Sequence, residues 1–172
     1  MEADMSLPAF HDMPVKRFQN FFAWIPIMNG CNKFCTYCIV PYVRGREVSR
    51  PIEAIVEEIK KVAARATRKL PFSQNVNSYG LDLKDGTDFS KLVQAVDDID
   101  GIERVRYMTS HPKDMTFAMI DAIADSKKIV NHMHLPIQCG SDELLKKMNR
   151  AIRRSIIWNS STTPESACLI WS

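Results

Sequence analysis

Cys31, Cys35 and Cys38 fall in one short run, Cys31-Asn32-Lys33-Phe34-Cys35-Thr36-Tyr37-Cys38, directly after the apolar stretch Phe21 to Met28. Three thiols at this spacing, on a loop leaving a strand, suit a single metal centre. Four thiolates close an iron–sulfur cluster, whereas three leave one iron open for a substrate or cofactor. The competing reading is a structural zinc site completed by a His or by Cys139. Tetrahedral zinc prefers paired CxxC knuckles, and the chain has no second pair. Tyr37 stands just before the last thiol, where its ring can cover a planar group beside the cluster. Gly30 lets the backbone turn tightly into the loop.

The flanking residues add a second, more specific signal. Gly30-Cys31-Asn32, the run Cys38 to Glu47 (CIVPYVRGRE), Gln74 to Gly80 (QNVNSYG), Thr109 to Asp114 (TSHPKD) and His134 to Gln138 (HLPIQ) occur in that order. Together with CxxxCxxC they resemble the radical S-adenosylmethionine (SAM) methylthiotransferases that modify tRNA. The resemblance runs from about Pro14 to Arg150. It implies a [4Fe–4S] cluster on Cys31, Cys35 and Cys38 and SAM on the open iron. It further implies reductive cleavage of SAM to methionine and a 5′-deoxyadenosyl radical. The activity implied is addition of a methylthio group at C2 of N6-isopentenyladenosine, next to the tRNA anticodon. A reducing electron donor is required, and no side chain is singled out as acid, base or nucleophile. Members of this family also carry an N-terminal domain with a second cluster and a C-terminal RNA-binding domain, so this chain is expected to be a fragment and incomplete by itself. The alternatives are a ribosomal-protein aspartate methylthiotransferase, a non-catalytic zinc module, or an inactive truncated product.

Within the resemblance, Gln74 and Asn75 occupy the end of the second strand, where such enzymes meet the SAM amino group. A turn-forming polar pair is the plainer explanation of these two. Ser110 and His111 end the third strand and Gln138 the fourth. In barrels the strand C-terminal ends face the reaction chamber, which makes Ser110 and Gln138 candidate SAM contacts. Arg44, Arg46 and Arg50 form a basic cluster suited to RNA phosphate or to the SAM carboxylate. A solvated, salt-bridged loop explains the same three arginines. His132 and His134 share one strand face and are expected to be core histidines. Cys139 stands where the family normally has Ser, and is expected to be a free thiol.

The bulk properties permit this reading. The 172 residues support one domain, 45% hydrophobic and 25% charged, with a net charge of +3 that allows an RNA partner without demanding one. The longest apolar run, Phe21 to Met28, is too short to span a bilayer, and Met1 to Pro8 carries no apolar signal core. Five cysteines, three of them in one loop, favour a metal site in a reducing cytoplasm over a disulfide framework.

The elements that must position the thiols follow from periodicity. Residues 1–20 read as a linker or tail, and the resemblance implies that 21–150 are a partial radical SAM core. Phe21 to Met28 is expected as a first strand, apolar on both faces. Ile52, Ile55, Val56, Ile59 and Val62 recur at helical spacing after a cap at Ser49 or Arg50, with Pro51 in the first turn. Phe89, Leu92, Val93 and Val96 mark a second helix, and Met119, Ile120 and Ile123 a third. A fourth runs from Ser141, its cap, through Leu144, Leu145 and Met148. Ile102 to Met108 and Ile129 to Ile137 are expected strands. Strands alternating with helices imply an α/β fold with a curved, barrel-like parallel sheet. The family resemblance implies a partial (β/α) barrel, of which this chain holds about the first four βα units.

Two stretches break the pattern. Ala66 to Ser73 should hold the second strand, yet Pro71 is ill-suited to a central strand. From Ala151 the helical pattern collapses, and residues 151–172 read as an aberrant tail. Suitable codons for Ala66–Ser73, preceded by one added base, encode Gly-Tyr-Lys-Glu-Ile-Thr-Leu-Leu-Gly. Those for Ala151–Ser160, shifted likewise, encode Gly-Tyr-Thr-Pro-Glu-His-Tyr-Leu-Glu-Leu. Both stretches are therefore expected to be frameshifted.

Overall fold

The computed structural model describes residues 21–65, 67–73, 75–108, 110–153 and 170–171. Gln74, Cys168 and most of the tail from residue 154 lie outside the described residues.

A parallel three-stranded sheet positions the site, with strand order β1 (Ile25–Pro26), β4 (Lys69–Ser73) and β5 (Arg104–Tyr107). Ile25 pairs with Phe72, and Lys69 to Phe72 pair in register with Arg104 to Tyr107. An isolated bridge from Val105 to Ile129 marks a fourth strand position beside β5. The crossovers are α2 (Ile52–Ala63) and α3 (Phe89–Asp97), and α4 (Phe117–Asp125) follows β5. This is the α/β arrangement of a partial barrel.

Sequence periodicity accounts for the helices. In α2 the buried residues are Ile55, Ile59 and Val62; in α3 they are Phe89, Leu92, Val93 and Val96; in α4 they are Met119, Ile120 and Ile123. Each stripe packs on the sheet residues Ile25, Leu70, Phe72, Val105 and Tyr107 in one core. Full burial of one such side chain contributes about 1.5–3 kcal/mol. Asp88 caps α3 by accepting from the Lys91 amide, and Thr116 caps α4 by accepting from the Met119 amide. Ser141 caps α5 (Asp142–Lys147) through the Leu144 amide, as its position in the sequence suggested.

Several expectations need correction. Phe21 to Met28 is not one strand buried on both faces. Ala23, Ile25 and Ile27 are buried while Trp24 is half exposed, and pairing breaks after Pro26. Met28–Asn29 then forms β2, antiparallel to β3 (Val48–Ser49). Ser49 belongs to that hairpin rather than to the cap of α2, which begins at Ile52 after Pro51. Of Ile129 to Ile137 only His132–Met133 (β6) is regular strand, paired with β7 (Ile170–Trp171). His132 and His134 are consequently half-buried rather than core.

The strand containing Pro71 does form, at the centre of the sheet. The carbonyls of Arg68 and Phe72 accept from the Arg104 and Met108 amides of the β5 side, whereas the Lys69 amide and carbonyl bond to Phe21 and Ala23. Pro71 has the parity of Lys69, so its missing donor is lost on the β1 side, where pairing is sparse. Lys69, Arg104 and Arg106, all exposed, line a cavity of about 270 Å³ with Phe21, Phe22 and Pro71.

Candidate metal and cofactor site

The thiol loop leaves β2 through Gly30, whose φ is +72° and whose Cβ position would lie 1.9 Å from the Arg46 carbonyl oxygen. Only glycine fits there. The amide of Cys31 donates to the carbonyl of Gly45, the residue that ends α1 (Val40–Arg44), at 3.2 Å, which brings the end of that helix back to the start of the thiol loop. Cys35 is buried, Cys31 and Cys38 are half-buried, and all three are free thiols. Burial is the main influence raising the Cys31 thiol above its ordinary value, with the Lys33 amide working against it.

A ring of polar contacts ties this loop to the ends of β4 and β5. Glu47 accepts the Asn32 amide at 3.0 Å and the Asn75 side-chain amide at 2.8 Å. The same Asn75 nitrogen donates to the Ser78 hydroxyl at 2.8 Å, and that hydroxyl donates to Asp114 at 2.6 Å. Asp114 is ion-paired with Lys33, the neighbour of Asn32, and this closes the ring. Asn77 braces the same loops by exchanging two hydrogen bonds with the His111 backbone, at 2.6 and 2.9 Å. The polar residues after β4 and β5 thus orient the thiol loop.

The other side of the loop is held by the end of α5. The Thr36 amide donates to the Met148 carbonyl at 3.1 Å, and the Asn149 side chain donates to the Phe34 carbonyl at 2.9 Å. Arg150 is buried and donates to the Pro136 carbonyl. Its Nη1 lies 3.3 Å from the Tyr37 hydroxyl and 3.9 Å from Cys35 Sγ. Burial raises the Tyr37 phenol pKa, opposed by the Arg150 charge. His111 accepts the Lys113 amide on Nδ1, and burial, with Arg150 and Lys33 nearby, depresses its pKa to about 4.

The sequence-predicted residues fall into distinct groups. Cys31, Cys35, Cys38 and Tyr37 share one loop, Tyr37 being half exposed. Asn75 reaches that loop through Glu47, in a left-handed conformation with φ +46°. Ser110 is buried, its amide bonded to the His134 carbonyl and its hydroxyl without a partner. Gln138 is exposed, with φ +72°. The basic trio does not act as one patch. Arg46 stacks over the Phe34 ring at 4.6 Å, and Arg44 is exposed. Arg50 is buried, bonded to the Pro26 carbonyl and ion-paired with Glu58 at 2.7 Å. Cys139 is a free thiol, as expected. Sequence reasoning missed Glu47, Lys33, Asp114 and Arg150; for Glu47, the one signal was an acid between two arginines.

The donor set fits an iron–sulfur cluster. Three free thiols stand on one loop, and the buried atoms His111 Nε2, Ser110 Oγ and Arg150 Nε have no partner. Such atoms are what a polar ligand beside the loop would satisfy. Among the described residues no three His, Cys, Asp or Glu side chains already converge at metal-ligand spacing, so ligation would draw the thiols together.

Residues 25–160 match the radical SAM superfamily. The chain belongs to that superfamily. Among curated relatives of this radical SAM chain, it is 54% identical over 144 residues to the tRNA-2-methylthio-N(6)-dimethylallyladenosine synthase of Pelotomaculum thermopropionicum, covering 83% of this chain and 32% of that protein. It is 51% identical over 148 residues to the synthase of the same name from Carboxydothermus hydrogenoformans, covering 86% and 34%. The chain therefore spans about a third of the length of the curated relatives it matches. Its fold resembles the radical SAM methyltransferase TsrM of Kitasatospora setae, solved with tryptophan and the SAM analogue aza-SAM, at TM-score 0.66 and 16% identity over 88% of this chain and 30% of TsrM. Among the described residues no helix is long and apolar enough to cross a membrane.

Proposed function

We propose that this chain is the radical SAM core of a tRNA methylthiotransferase, acting on N6-isopentenyladenosine beside the anticodon in the cytoplasm. The observation that carries the reading is the thiol loop at the end of the first strand segment, within a chain 54% identical to synthases named for that modification.

Cys31, Cys35 and Cys38 would hold a [4Fe–4S] cluster by three irons. With SAM on the fourth iron, this group supplies one-electron reductive cleavage of a carbon–sulfur bond when bound. The protein's own part is placement and exclusion of water. Tyr37 offers its ring at the loop edge. Asn75, fixed by Glu47, and Ser110, with a free hydroxyl, offer polar atoms for SAM, and Gln74 and Gln138 are further contacts of the same kind. tRNA and a reducing electron donor are the partners of the full-length enzyme.

The test is anaerobic loading of the purified chain with ferrous iron and sulfide. Brown protein holding iron and acid-labile sulfide, lost in the Cys31→Ala, Cys35→Ala and Cys38→Ala variants, is expected. Zinc uptake without sulfide would overturn the reading.

A further inference from the structure

Arg150 is a buried cation with an unusual set of partners. It is 4% exposed, and its backbone amide is fixed on the Leu145 carbonyl at 3.0 Å. One nitrogen of its guanidinium donates to the Pro136 carbonyl, another contacts Tyr37 and Cys35, and Nε has no partner. No carboxylate pairs with it among the described residues, the ion pairs there being made by other cations. A charge out of water without a counter-charge is costly. The guanidinium does reach the sulfur of Cys35, at 3.9 Å from Nη1, a free thiol that would become an anionic thiolate as a cluster ligand.

Resting on the reading of the three cysteines as cluster ligands, we propose that Arg150 is a positioning residue that raises the reduction potential of that cluster. Its hydrogen bond to the Cys35 sulfur and its buried positive charge both favour the more negative, reduced state. Hydrogen bonds to sulfur and local charge are established levers on such potentials. The electron comes from an external reductant, and Arg150 itself is neither oxidised nor reduced.

The experiment compares the chain with Arg150→Lys, Arg150→Gln and Arg150→Met after anaerobic loading. Iron and sulfide are counted first, and the cluster is then titrated with dithionite and followed by electron paramagnetic resonance. In the neutral variants the ratio of reduced to oxidised cluster at a fixed potential falls about tenfold, a downward shift of about 59 mV for one electron. Arg150→Lys keeps the charge but not the fork, and falls only about threefold. If the neutral variants do not load, the Lys variant decides by the same measurement. An unchanged midpoint in a loaded variant overturns the proposal, even where SAM affinity changes. Failure of the unaltered chain to take up iron and sulfide overturns the cluster reading instead, and the proposal with it.

Discussion

Glu47 accepts the side-chain amide of Asn75 at 2.8 Å, a direct side-chain contact that joins the thiol hairpin to the loop that follows β4. The buried carboxylate accepts from the Asn32 amide, the Asn32 side chain and the Asn75 side chain, so Glu47→Ala strips both Asn32 donors of this acceptor while Asn75 keeps its bond to Ser78. Each orphaned group costs about 1–3 kcal/mol. Urea unfolding of Glu47→Ala should show a loss in that range or above. Glu47→Gln should recover only part, because its amide turns a donor against a donor.

Gly30→Ala should be among the most damaging single changes in the chain. Left-handed backbone alone costs roughly 1–2 kcal/mol for a residue with a Cβ. The added carbon would also overlap the Arg46 carbonyl, which is backbone and cannot swing aside. Thermal unfolding should show a lower midpoint or no cooperative transition. Gly45→Ala, which meets no atom within 4 Å, should suffer the conformational cost alone.

Stability should depend on acid through His111. Burial lowers its pKa from 6.5 to about 4, so between those values the unfolded chain binds a proton that the folded chain does not. Stability is therefore full above pH 6.5, falls as pH drops towards 4, and changes no further from this group below that. The slope within the window approaches about 1.4 kcal/mol per pH unit. Urea midpoints at pH 4.5 and 7 should differ by less in His111→Gln than in the unaltered chain.

Asn149→Ala should loosen the thiol loop while leaving the sheet intact. Asn149 sits at φ +53° and donates to the Phe34 carbonyl at 2.9 Å. Loss of the bond and of a side chain tolerant of that conformation should cost about 1–2 kcal/mol. Amide exchange at Thr36 should accelerate, while exchange at Phe72 in the central strand stays slow.

The parts of this molecule legible in the sequence were those governed by neighbours. Helix faces such as Ile55-Ile59-Val62 and Leu92-Val96 follow from a 3.6-residue period, and the Ser141 cap lies next to the helix it starts. The thiol triplet was legible because its spacing is local. The first strand was misjudged because a continuous apolar run does not reveal that Trp24 faces outward and that pairing switches at Met28. Arg50 looked like one of three loop cations because its partner Glu58 lies in the following helix. Arg150 meets Cys35 across 115 residues, and no period or spacing encodes a contact of that kind.

The pinning of the thiol loop by Met148, Asn149 and Arg150 has a temporal consequence. The cysteines leave the ribosome before the residues that clasp their loop, which are made more than a hundred positions later. Synthesis proceeds from the N-terminus at about 5–20 residues per second, so for several seconds the nascent chain displays three thiols on an unclasped loop. Oxidants and stray metal ions have their best access in that interval.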